Sequence, residues 1–190
     1  VTGSSLTVKA ENTSSSVTSA AGLGAGGRAD LAGAASETFV NQETDAHVGK
    51  NANVTVKEGA EILANSTFTQ GATAGSVGGG GTVGVSGNAA VNIIDTETKA
   101  YTGKSSALSA DEAGDGISIT ASDTTELHGG NGGTAIGISG GGAGVAVGVT
   151  NLKKNTSAYA DQNAKLDSKG QVAISANNTE DIDNVTVQVA

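Results

Sequence analysis

The sequence predicts an all-β β-solenoid, and three observations carry that prediction. The chain repeats itself at about 55 residues, its apolar side chains alternate with period two, and it lacks the large side chains of a globular core. The repeat is anchored by a motif of a β-branched residue, any residue, Ala, two polar residues and Thr. It occurs as Val8 to Thr13, Ile62 to Thr67, Ile119 to Thr124 and Ile174 to Thr179. Its alanines are Ala10, Ala64, Ala121 and Ala176, at spacings of 64−10 = 54, 121−64 = 57 and 176−121 = 55. A second anchor, Thr-x-Ala-aromatic, ends at His47, Tyr101 and Tyr159, with Ala spacings of 100−46 = 54 and 158−100 = 58. Residues 1–190 are expected to form one continuous solenoid segment. With no Met and with strand patterns running to both termini, it is expected to be a piece of a longer array.

Alternation supplies the strands. Val54 and Val56 flank Thr55, Ile117 and Ile119 flank Ser118, and Val185, Val187 and Val189 alternate with polar residues, as strands with one buried face do. In the middle repeat Val77, Val83, Val85, Ala89, Val91 and Ile93 share odd positions and are expected inward. Gly79, Gly81 and Gly87 share that parity, which predicts a thin core with close backbone layers. Three Gly-rich runs, 21–35, 76–91 and 135–148, mark this part of each repeat. In the last of them the parity changes between Ile138 and Val145, predicting a corner or bulge at 140–142. Turns are expected at 49–53, 103–106, 161–163 and 168–170, while the acidic stretch 107–116 reads as a loop. A parallel helix rises about 4.8 Å per coil, and coils of roughly 20–30 residues would place two in each repeat.

Composition limits function. There are 30 Gly, no Pro, Cys, Met or Trp, and two each of Tyr and Phe, so any core is built from Ala, Val, Ile and Leu. Stacked layers bury such small side chains better than a globule does. A net charge of −9, with Arg28 as the only arginine, excludes the clustered cations and stacking aromatics of nucleic-acid binding. No apolar run reaches 18 residues, so no membrane insertion is expected. Lack of Cys removes disulfides, thiolate catalysis and Cys-bound metal.

No catalytic, cofactor or metal site is expected. Ser139 sits in a G-x-S-x-G match, but neither His47 nor His128 follows it, as the esterase triad order requires. The G-x-G-x-x-G match at 22–27 precedes no helical stripe. Two acidic groups, Asp111, Glu112 and Asp115, and Glu180, Asp181 and Asp183, read as solvated carboxylates before they read as cation ligands. Asn-x-Ser/Thr triplets begin at Asn12, Asn53, Asn65, Asn155, Asn177 and Asn184, as an Asn- and Thr-rich chain produces by composition. The one candidate surface feature is the position shared by His47, Tyr101 and Tyr159, read as a ladder of stacked rings or, alternatively, as a glycan-contacting stripe.

The recurrent V-x-A-x-x-T strands and the segment 91–103 (VNIIDTETKAYTG) resemble the repeat shafts of large bacterial filamentous haemagglutinin-like exoproteins of two-partner secretion, including leukotoxin-type filamentous adhesins. That resemblance implies a right-handed parallel β-helix, export as an unfolded chain, and a secreted or cell-surface location. It further implies attachment to receptors or glycans on host or neighbouring cells, and offers no catalytic residue to carry over. The expected role is therefore a non-catalytic adhesive shaft. The alternatives are a fibre subunit self-associating along the solenoid axis through open β edges, and a shaft carrying an enzyme elsewhere in its parent.

Overall fold

A computed structural model describes residues 1–112 and 116–189. Its elements in chain order are β1 (Thr2–Gly3), β2 (Leu6–Gly26), β3 (Ala29–Val48), β4 (Asn53–Val56), β5 (Ala60–Gly80) and β6 (Val83–Thr102). They continue as β7 (Ala107–Ala110), β8 (Ile117–Gly137), β9 (Gly141–Ala160), β10 (Lys165–Ser168) and β11 (Val172–Val189). There is no helix among the described residues. The strands form three parallel sheets: a base sheet of β1, β4, β7 and β10, a front sheet of β2, β5, β8 and β11, and a back sheet of β3, β6 and β9. Each coil runs along a short base strand, out along the front sheet, round a tip turn and back along the back sheet. The fold is a parallel β-solenoid.

One coil fills each repeat, where coils of roughly 20–30 residues had suggested two. The difference lies in strand length: the front strand β5 has 21 residues and the back strand β6 has 20. No Pro interrupts them, and the turn-type clusters inside them, 78–80 and 86–88, are held in strand by the parallel pairing. At about 3.3 Å per residue such a strand is about 70 Å long, so the molecule is a broad blade growing about 4.8 Å per coil. The register follows the repeat phase. Ala10, Ala64, Ala121 and Ala176 are successive Cα partners, and so are Ala46, Ala100 and Ala158. In the anchoring motif the first, third and fifth residues face inward, so Ile62, Ala64 and Ser66 are buried while Leu63, Asn65 and Thr67 lie on the outer face.

The interior changes character from base to tip. At the base, where three sheets enclose a prism, Val56, Ile62, Leu108, Ile117 and Ile119 form a conventional apolar core. Midway along the blade Phe68, Ile94 and Leu127 make a second, smaller cluster. Beyond it the inward positions carry mainly small residues, Ala, Gly and Ser, together with Asn. Asn88 donates through Nδ2 to the Gly132 carbonyl, and Gln70 Nε2 donates to Asn92 Oδ1 at 2.7 Å. The sheets approach so closely at the tip that a Cβ on Gly78 would lie 2.6 Å from the Val85 carbonyl oxygen.

This overturns one expectation. The valines of the middle repeat face out, not in: Val77, Val83 and Ile93 are 44, 40 and 39 % exposed. The even positions between them are buried, among them Gly78, Gly80, Gly84, Ser86, Asn88 and Asn92. The thin core exists, but Gly78, Gly80 and Gly84 make it, whereas Gly79 and Gly87 lie on the outer faces. The physical reason is space. Between two sheets in near backbone contact a valine does not fit, so volume overrides hydropathy.

The parity change in the last repeat is present and has a simple cause. The tip turns at 27–28 and 81–82 hold two residues, while the turn at 138–140 holds three before β9 starts at Gly141. The extra residue reverses the parity, and both Ile136 and Val145 consequently face out. The stretch 107–116, expected to be a loop, begins with strand β7; its residues 113–115, including Asp115, lie outside the described residues. Glu180 points to the opposite side of β11 from Asp181 and Asp183, so that acidic trio does not converge.

The base turns fall where expected and share one geometry. Asn51, Ser105 and Asn163 occupy equivalent positions with φ of 57°, 57° and 60°. Asn tolerates this left-handed conformation, but Ser does so poorly. Ser105→Gly is expected to stabilise the fold by about 0.5–1 kcal/mol, read as a rise in Tm. Asn51→Gly should gain less.

Candidate functional site

Two outer features of the back sheet are candidates for function: the ring ladder near the base and the apolar half toward the tip. The ladder is made by register. His47, Tyr101 and Tyr159 are Cα partners on β3, β6 and β9, all on the outward parity. His47 and Tyr101 stack at 4.8 Å between centroids with 10° between planes, and Tyr101 and Tyr159 at 4.9 Å with 1°. Both faces of Tyr101 are therefore covered by neighbouring rings, and the ladder offers its edges outward. A sugar stacking on an aromatic needs a free ring face, which the middle of this ladder does not present.

Polar groups brace the rings. His47 Nδ1 lies 2.8 Å from Asp45 Oδ1, and the Tyr101 hydroxyl donates to Asp45 Oδ2 at 3.4 Å. Partial burial, with the Asp45 carboxylate second, raises the Tyr101 phenol above its ordinary value of 10.0. Removing the Tyr101 ring is expected to cost about 1–2 kcal/mol, since two ring contacts disappear, whereas Tyr159→Ala loses one and should cost about half as much. Because the folded-state value is raised, the ladder's contribution is complete below the ordinary tyrosine range. It is lost as pH rises through the raised value, so the Tm gap between wild type and Tyr101→Phe should change only in strong alkali.

Next to the rings runs a row of exposed charge. Lys153 Nζ sits 2.8 Å from Asp95 Oδ2, and this carboxylate holds the Lys153 ammonium above its usual value. Lys99 bonds Glu97 at 2.8 Å, lowering the glutamate and raising the lysine, and Asn155 Nδ2 donates to Glu97 Oε1 at 2.9 Å. These pairs are solvated and contribute little to stability, but they give the base half of the back sheet a mixed polar surface.

The outward positions toward the tip are of another kind. Along β6 they read Val83, Val85, Gly87, Ala89, Val91 and Ile93. Leu31 and Phe39 flank them on β3, and Val145, Val147 and Val149 on β9. Leu31 is 78 % exposed and Phe39 64 %. On the front sheet the corresponding outward positions of β5 are Thr73, Gly75, Val77 and Gly79. The other front-sheet strands add Val17 and Leu23 on β2, Ile136 on β8 and Val185, Val187 and Val189 on β11, so both outer faces of the blade are apolar toward the tip.

Sequence reasoning also missed a buried ion pair. Lys153 and Lys154 form the one basic pair of the chain, and strand alternation sends them to opposite faces. Lys154 enters the interior, where Nζ lies 2.8 Å from Asp123 Oδ1, with side-chain exposures of 3 % and 0 %. Asp123 also accepts from the Thr98 and Thr125 hydroxyls at 3.0 and 3.2 Å. Among the described residues no cluster of His, Cys, Asp and Glu converges as a metal site. Ser139 lies in the tip turn and donates its hydroxyl to the Gly81 carbonyl at 2.7 Å.

Fold and surface together define the chain as a parallel β-solenoid with a two-zoned outer face. Comparison with family models, with curated proteins and with solved structures gave no match.

Proposed function

We propose that this chain is a structural, adhesive segment of a secreted bacterial surface protein, presenting a broad face to host or neighbouring cells rather than performing catalysis. The observation that carries this reading is the blade itself. About 55 residues are spent on each rise of about 4.8 Å, which makes the array wide rather than long. An array that only had to span distance would use shorter coils. A wide one displays registered rows of identical or related side chains, such as the ring ladder and the adjoining charged row, repeated coil after coil. Recognition by such a surface is multivalent, gaining avidity from repetition instead of from one deep pocket.

The test uses antibodies raised against the purified chain and the cells that make it. Labelling of intact cells, together with inhibition of their adhesion by added chain, is the expected result. Labelling only after lysis, or adhesion unaffected by saturating chain, overturns the reading. A second reading, axial self-assembly, draws on the register: because Ala64 pairs equally with Ala10 and with Ala121, any coil edge is a template for another coil. Filaments elongating along the coil axis in a solution of the pure chain would favour it.

A further inference from the structure

We infer that Lys154 and Asp123 join in an intramolecular amide, a covalent strap between the front and back sheets of the third coil that forms after folding. The inference rests on the interior of the blade alone and holds whether or not the chain is adhesive.

The pair stands where the fold does not require it. Ser66 and Thr96 are the Cα partners of Asp123 and Lys154 in the second coil. In the first coil Gln42 fills the same back-sheet column, donating through Nε2 to Ser66 at 2.9 Å and accepting from the Ser14 hydroxyl at 2.9 Å. Neutral side chains thus complete this layer twice over. Of these three coils the third alone places an amine and a carboxyl group there, with side-chain exposures of 3 % and 0 %. A buried ion pair carries a desolvation cost that neutral residues avoid.

The contacts are those that condensation needs. Nζ of Lys154 has three oxygen neighbours: Asp123 Oδ1 at 2.8 Å, the Thr179 carbonyl at 3.1 Å and the Asp123 carbonyl at 3.5 Å. Backbone therefore holds two of its hydrogens, and the third lies on the carboxylate. When that proton passes to the carboxylate, the nitrogen lone pair faces the carboxyl group at contact distance, an arrangement that replaces an encounter in solution. The Thr98 hydroxyl donates to Oδ2 at 3.0 Å and the Thr125 hydroxyl to Oδ1 at 3.2 Å. Each carboxyl oxygen thus has a donor where negative charge grows as Nζ adds to Cγ.

The balance is simple. Ammonium and carboxylate enter, the Nζ–Cγ bond forms and one Cγ–O bond breaks. That oxygen leaves as water with two of the ammonium protons, and nothing is oxidised or reduced. A group to relay those protons stands one coil on. Glu180 is the Cα partner of Thr125 and shares its inward parity, while Asn178, the partner of Asp123, donates through Nδ2 to Glu180 Oε1 at 3.2 Å. The register thus sets a second carboxylate on the interior side, beside the pair. The freshly folded chain carries the ion pair, and the amide replaces it with time. The bond closes a loop from 123 to 154 through the tip turn, holding β8 against β9 where the interior is mainly small side chains.

Intact mass decides the matter. The purified full chain, followed from the moment of refolding, should become lighter by one water, and fragmentation should yield a branched peptide joining Asp123 to Lys154. Lys154→Arg retains the positive charge and should keep its full sequence mass. Glu180→Gln should slow the loss about a hundredfold with the β-sheet circular dichroism unchanged, and Glu180→Asp should recover most of the rate. A wild-type chain that holds its full sequence mass throughout overturns the proposal. So does a lost water without a branch, which would mark a succinimide at Asp123, and so does an equal loss in Lys154→Arg. Condensation of Glu180→Gln at the wild-type rate overturns the part assigned to Glu180.

Discussion

Asp123→Ala should destabilise the fold by about 3–5 kcal/mol, the largest loss expected from any single polar substitution in this chain. The substitution leaves the Lys154 ammonium inside the blade without its carboxylate and deprives the Thr98 and Thr125 hydroxyls of their acceptor. Lys154 retains the Asp123 and Thr179 carbonyl oxygens, at 3.5 and 3.1 Å, which moderates the cost without removing it. At about 2–4 °C per kcal/mol for a chain of this size, the loss is a fall in Tm of roughly 6–20 °C. Lys154→Met should be similarly harmful, since it strands the carboxylate. The informative variant is the double one. In the neighbouring coil the registered residues are Ser66 and Thr96, so Asp123→Ser with Lys154→Thr rewrites the third coil's layer as the second's. The double variant is expected to lose less than Asp123→Ala alone, a coupling that thermal unfolding measures directly. Equal, additive losses would show that the pair does not act as a unit.

Much of this architecture is visible in the residues before any fold is known, and the part that is not has a definite cause. The phase of the repeat is readable because parallel coils superpose equivalent residues. Ala10, Ala64, Ala121 and Ala176, and likewise His47, Tyr101 and Tyr159, recur at the spacing that their Cα pairing later requires. Turn positions are readable for the same reason, the Asn51, Ser105 and Asn163 corners returning once per coil. Alternation, by contrast, says that the two faces of a strand differ without saying which is inside. Hydropathy chooses correctly at the base, where Ile62 and Ile119 are fully buried, and wrongly at the tip, where Val83 and Val145 are exposed. The overlooked signal is volume. Through the middle repeat one parity class holds Gly78, Gly80, Gly84, Ser86 and Asn88, all small or amide side chains, and that class is the one two closely spaced sheets can accommodate. The coil count was hidden for a related reason: no residue breaks a 21-residue strand, and a repeat of about 55 residues is compatible with either one long coil or two ordinary ones. The candidate surfaces follow this division. The ring ladder is legible from phase alone, while the apolar face depends on the sign of the parity.

That sign has its own decisive experiment in a pair of glycines on adjoining strands. Gly78→Val should cost about 3 kcal/mol or more, because its side chain enters a space already filled by backbone. The Cβ alone would lie 2.6 Å from the Val85 carbonyl oxygen, 3.1 Å from its carbon and 3.3 Å from Asp30 Oδ2, and a carbonyl held in a parallel ladder cannot rotate aside. Gly87→Val places the same side chain on the outer face, where the nearest atom to its Cβ is the Val145 carbonyl oxygen at 4.0 Å. There the substitution should be neutral or stabilising by about 0.5–1 kcal/mol, since valine favours the strand and glycine loses more backbone freedom on folding. The two thermal unfolding curves should therefore diverge by roughly 6–16 °C at equal change in composition. If the valines of the tip faced the interior, Gly87 would be the crowded site and the order would reverse. The same measurement bears on the wedge shape of the blade. A tolerated Gly78→Val would mean that the sheets separate at the tip, leaving room for side chains and no reason for the apolar residues to be outside.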